Sequence, residues 1–261
     1  MTARPSGGLP GGPARPGTGA SSAAAGGGTR ERRAVVPAGR PHPGPPARWL
    51  AGTGLVADNL YLLGHDERSG RPLLQPRALG TGLAGALLAE LMLAGLAGLR
   101  QDGAVVITRD TPRDAVARHP LLRRVAAEPW PQPARSWLRF LAATAAQDVA
   151  LRLAGAGYLR QARRRAPWHR SQWVSVSPDW AFTAPMLLVR SALDPARPLT
   201  ARAAALTGLA AACGLGFRLQ AYQTQASRPV QDAVARLGPS LRELIAQTQT
   251  AVDSAVLSHR T

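Results

Sequence analysis

The 261-residue chain has no lysine, one cysteine (Cys213) and only 15 acidic side chains. A lone cysteine excludes an internal disulfide framework and any multi-cysteine zinc or iron–sulfur site. The few acids form no carboxylate pair suited to general acid–base work, and no nucleophile elbow is present. The histidines, His42, His65, His119, His169 and His259, are scattered. His65-Asp66-Glu67 is compact, yet neighbours in one turn rarely converge on a single ion. Cys213, in an apolar helical stretch, reads as a small core residue. No catalytic residue, metal ligand or cofactor is expected, and the chain reads as a non-enzyme.

What is abundant is arginine. All 32 basic residues are arginine, giving a formal net charge of +17 and an anionic partner. The Ala/Gly/Pro/Arg bias points to a GC-rich genome rather than to selection for guanidinium chemistry. Residues 1–48 hold 11 of the 27 glycines and 9 of the 23 prolines, with seven arginines and one acid. Such a segment cannot bury enough surface to offset its ordering entropy, so a disordered basic tail is expected. Its Gly/Pro punctuation leaves no room for the apolar run of a secretory signal. Residues 49–261 are expected to form one globular domain.

Within that domain, residues 55–63 read as a short helix or strand, followed by a polar turn ending at Gly70. Ala78 to Leu99 contains eight Leu, six Ala and five Gly with Glu90 in its midst. Its length would suffice to span a bilayer. Glu90 at mid-membrane and the helical spacing of Leu79, Leu83, Leu87 and Leu91 favour a helix buried inside a globular domain instead. Ala104 to Thr108 is β-branched and reads as a strand. Thr111-Pro112 reads as the start of a helix that continues to Pro129. Ala134–Ala156 reads as one long helix with Trp137, Phe140, Leu141 and Leu151 in the core, and Leu199–Leu219 as another. Val230 onward gives two more, broken at Gly238-Pro239. No fixed-period repeat is present, and the fold class is mainly α with a short β-hairpin.

Gly80-Thr81-Gly82-Leu83-Ala84-Gly85 matches the GxGxxG pattern of dinucleotide-binding turns. That chemistry needs a buried strand running into the first glycine, and Gln75-Pro76-Arg77-Ala78 is no central strand. Close helix packing through small residues is the better reading. The densest cationic segment runs from Arg160 to Trp173 and includes Arg163, Arg164, Arg165, Trp168 and Arg170. Arginines beside tryptophans suit an anionic bilayer surface, the rings at headgroup depth and the guanidiniums on phosphates. Nucleic acid would satisfy the same arginines, but is not the expected partner.

Leu60-Tyr61-Leu62-Leu63, the Asp66–Gly70 turn, the Gly82-Leu83-Ala84-Gly85-Ala86-Leu87-Leu88-Ala89-Glu90-Leu91 string and Leu151 to Leu159 resemble the Golgi phosphoprotein 3 family, bacterial members included. The resemblance covers roughly residues 55–260. It implies a mostly helical domain that binds phosphatidylinositol 4-phosphate on a membrane, gathers client proteins, and self-associates through a β-hairpin. The family's pocket positions for one Trp and three Arg fall here on Gln75, Ala84, Ala143 and Ala146, while Arg77 and Arg139 are near enough to substitute. The expectation is a cytoplasmic, peripherally membrane-associated protein. Its lipid-contacting residues would be Arg77, Arg139, Arg163, Arg164, Arg165, Trp168, Arg170 and Trp173. The alternative is a protein-interaction adaptor that dimerises or holds clients without lipid recognition.

Overall fold

The computed structural model describes residues 47–162, 172–220 and 228–257. The basic tail before residue 47 lies outside the described residues. Within them the chain is mainly helical, with two small antiparallel strand pairs.

The elements run α1 (Ala47–Ala51), α2 (Val56–Leu63), α3 (Pro76–Leu93), β1 (Ala97–Leu99), β2 (Val105–Ile107), α4 (Arg113–Arg118) and α5 (Pro120–Ala127). There follow α6 (Ala134–Ala142), α7 (Ala145–Gly155), β3 (Leu159–Gln161), β4 (Trp173–Ser175), α8 (Thr183–Leu193), α9 (Ala201–Ala212), α10 (Gly216–Gln220), α11 (Val230–Ala235) and α12 (Pro239–Leu257). In the two hairpins Gly98 pairs with Val106 and Arg160 with Val174.

Helix α3 is the hub, packed by α2, α6, α7, α9 and α12. It is buried on nearly all sides, and leucines such as Leu83, Leu88, Leu206 and Leu209 fill the space around it. The GxGxxG glycines serve that packing. A Cβ on Gly80 would strike the Ala142 carbonyl, one on Gly82 the Cys213 thiol, and one on Gly85 would lie 2.5 Å from Thr248 Oγ1. Three neighbours approach α3 closely because three of its residues have no side chain. No helix among the described residues is long and apolar enough to cross a membrane.

Several boundaries differ from the sequence expectation. Helix α3 stops at Leu93 instead of running to Leu99. Gly95 takes φ +71°, its N–H bonds Met92 O, and the Leu96 N–H reaches Leu91 O at 2.9 Å. This is a Schellman stop, and it releases residues 97–99 into β1. Gly157 and Gly214 stop α7 and α9 in the same way, which divides the expected 199–219 helix. Pro120 holds His119 extended at φ −95°, ψ 113°, separating α4 from α5. The expected 134–156 helix breaks after Ala142, at the place where that carbonyl meets Gly80. Trp137 and Leu141 are core residues as expected, but Phe140 is 56% and Leu151 51% exposed. Phe140 instead meets Trp137 edge-on and lies under the Arg124 guanidinium at 5.3 Å.

Candidate functional site

A groove of about 990 Å³ opens between the start of α3, the outer face of α6 and the length of α12. That lies at the upper end of the usual range for small-molecule sites. Each wall follows from helical spacing. On α3, Arg77 and Thr81 are one turn apart; on α6, Arg135 and Arg139 are too, followed by Ala142 and Ala143. On α12 the stripe is Glu243, Ala246, Gln247, Thr250, Ala251, Ser254 and Ala255. The alanines keep the space between the helices open.

Neither helix start that borders the groove offsets the positive end of its dipole with an acid. Acids normally occupy a first turn, where they offset the positive end of the helix dipole. Helices α3 and α6 have none there, and neither Gln75 nor Pro133 caps its helix with a side chain. Arginines stand in those turns instead, Arg77 in one and Arg135 in the other. Among the described residues, no carboxylate lies within 4.0 Å of Arg77, Arg135 or Arg139. Three guanidiniums without a carboxylate partner among the described residues therefore share one concavity, which favours an anion chemically.

The opposite wall carries acceptors. Gln247 Nε2 donates to Glu243 Oε1 at 2.8 Å. At the mouth, a hydrogen bond from Arg100 holds the Asp102 carboxyl down to about 2, so it stays charged at any ordinary pH.

Of the residues expected at the site, Arg77, Arg139 and the family position Ala143 line this groove together. Ala84 is wholly buried, Ala146 packs against the core, and Gln75 stands exposed at the start of α3. Trp173 lies in β4, half-buried against the core, with its carbonyl over Gly70. Arg163, Arg164, Arg165, Trp168 and Arg170 lie outside the described residues. Sequence reasoning missed Arg135, although its i, i+4 spacing to Arg139 was legible. The helix after Gly238-Pro239 was expected, but not that α12 walls the groove, since nothing local links residues 243–255 to Arg77. Trp130, in the Pro129–Pro133 loop entering α6, was missed too; it is 75% exposed.

A family model described as Golgi phosphoprotein 3 (GPP34) matches residues 56–256. No curated protein gives a significant sequence match.

Proposed function

The chain belongs to the Golgi phosphoprotein 3 family, and from that membership and the groove together we propose that it is a non-enzymatic binder of anionic membrane lipid. The headgroup phosphate sits between Arg77, Arg135 and Arg139, and the protein associates peripherally with the bilayer. The observation that carries this reading is the convergence on one open groove of three guanidiniums that have no carboxylate partner among the described residues.

Further features support it. Trp130 precedes Pro133 of the groove by three residues, so its Cα lies within about 11 Å of the lining by chain reach alone. An exposed indole at that place suits the headgroup layer. The net charge of +17 steers the chain toward an anionic surface. The family's phosphatidylinositol 4-phosphate is one candidate headgroup, read here by Arg77, Arg135 and Arg139 rather than by arginines at Ala84, Ala143 and Ala146.

The test is co-sedimentation of the full chain with phosphatidylcholine vesicles, with and without anionic lipid, over a salt series. Binding is expected only with anionic lipid and is expected to weaken with salt. At about 1 kcal/mol per arginine, changing Arg77, Arg135 and Arg139 together to Ala should cost on the order of a hundredfold in affinity. Equal binding to neutral and anionic vesicles at low salt would overturn the reading. A phosphatidylinositol 4-phosphate arm at matched charge tests whether that headgroup is preferred.

A further inference from the structure

The two sides of the groove offer opposite hydrogen-bonding chemistry. On the α3 and α6 side every charged group is a donor. On the α12 side the Glu243 carboxylate has no cation within 4.0 Å among the described residues, and Gln247 Nε2 is committed to it. Flipping that amide would set its oxygen against the carboxylate, so the orientation is fixed. Gln247 Nε2 also lies against the turn at Gly103, where an added Cβ would come within 3.1 Å. The consequence is that Gln247 Oε1 is a buried acceptor with no partner among the described residues. Such a group costs about 1–3 kcal/mol when left unsatisfied.

The groove's hydroxyls cannot supply the missing donor. Thr81 donates to Arg77 O, Thr250 to Ala246 O and Ser254 to Thr250 O, each one turn back along its own helix. Only their lone pairs remain for a ligand. Asp102 is already taken by Arg100. The α12 wall is thus richer in acceptors than in donors, opposite a cationic wall.

Resting on the lipid reading above, we propose that the groove is bipartite. The arginines take the phosphate, and the Glu243–Gln247 wall takes a hydrogen-bond donor, hydroxyl or ammonium, carried by the headgroup beyond it. The site then selects donor-bearing anionic phospholipids over phosphatidic acid, whose phosphate bears nothing further. Simple electrostatics predicts the reverse, because phosphatidic acid concentrates more negative charge on one phosphate.

The test uses the full chain and phosphatidylcholine vesicles carrying phosphatidic acid, phosphatidylglycerol or phosphatidylserine at equal surface charge. Phosphatidylglycerol or phosphatidylserine should bind at least about tenfold more tightly than phosphatidic acid, as one charge-assisted hydrogen bond provides. Which of the two leads distinguishes hydroxyl from ammonium. Glu243→Ala combined with Gln247→Ala should abolish the preference, so that phosphatidylglycerol and phosphatidylserine bind no more tightly than phosphatidic acid. Because Glu243 is exposed, Glu243→Ala alone retains the fold and should narrow the preference. Phosphatidic acid binding as tightly as the others, or a preference that survives the double variant, overturns the bipartite groove while leaving the lipid reading standing. Failure to bind any anionic vesicle overturns both.

Discussion

Arg152 and Glu90, 62 residues apart in the chain, meet through two hydrogen bonds of 3.1 and 3.2 Å. The same guanidinium bonds Asp58 from Nε at 2.8 Å, and Glu90 Oε1 also accepts the Ala57 N–H at 2.8 Å. One arginine of α7 thus ties together α2 and α3, and the glutamate of α3 caps α2 in place of the missing cap at Leu55. Asp58 is 1% exposed, so the cluster holds two largely buried carboxylates on a single cation.

Removing that cation strands both acids. Arg152→Met should destabilise the fold by about 3 kcal/mol, at the low end for a broken buried pair because the guanidinium is one-third exposed. Glu90→Gln should cost much less. In a urea-unfolding double-mutant cycle, Glu90→Gln should recover part of the Arg152→Met loss. Strict additivity would show that the three groups act independently.

Glu90 also sets a pH dependence. Burial raises its pKa above the ordinary value of 4.5, outweighing the attraction of Arg152. The folded state therefore holds this proton more tightly than the unfolded chain. The resulting stabilisation is full below the ordinary glutamate range and is lost as pH climbs through the raised folded value. The unfolding free energy of the native chain minus that of the Glu90→Gln variant, measured across that window, should fall with rising pH. The Glu90→Gln variant should lack this component.

Gly82 and Cys213 form a second coupled pair. Gly82→Ala drives a methyl into the Cys213 thiol and should cost about 1–3 kcal/mol. The Cys213 Cβ lies 3.5 Å from the new methyl, an ordinary contact, so Cys213→Ala should make Gly82→Ala nearly neutral. Thermal unfolding of the four proteins measures the coupling. Burial pushes the thiol of Cys213 up to about 12, so a thiol reagent at mildly alkaline pH should modify it only after denaturation.

The groove can be strengthened as well as weakened. Ala143 lines it one turn beyond Arg139 and is exposed. Ala143→Arg should add a fourth guanidinium and raise affinity for anionic vesicles about fivefold, from about 1 kcal/mol. Unchanged affinity by co-sedimentation would place the bound headgroup away from the α6 wall.

Much of this was legible in the chain because it is written in local rules. Gly95, Gly157 and Gly214 mark three helix stops that only a residue free of Cβ accepts readily, and Pro120 marks a fourth boundary. Reading 78–99 as one helix overlooked the first of these. The pairing of Arg135 with Arg139 follows from helical spacing alone. Phe140 was misassigned because an apolar residue on a helix face predicts burial only when something covers that face. The break after Ala142 has no glycine or proline to announce it; it accompanies a carbonyl pressed against a helix 62 residues earlier in the chain.

The mainly helical class, the family, the glycine-lined packing of α3 and the excess of arginine can all be read from the chain. Each of these is encoded in composition, in short motifs or in the period of one helix. That Arg77, Arg135 and Arg139 share a concavity with Glu243 and Gln247 on its other wall follows from the packing of helices far apart in the chain. So does the meeting of Arg152 with Glu90 and Asp58. Helical periodicity says which residues share a face, but the partner of that face is fixed by how whole helices pack, and that choice is made by the entire core at once.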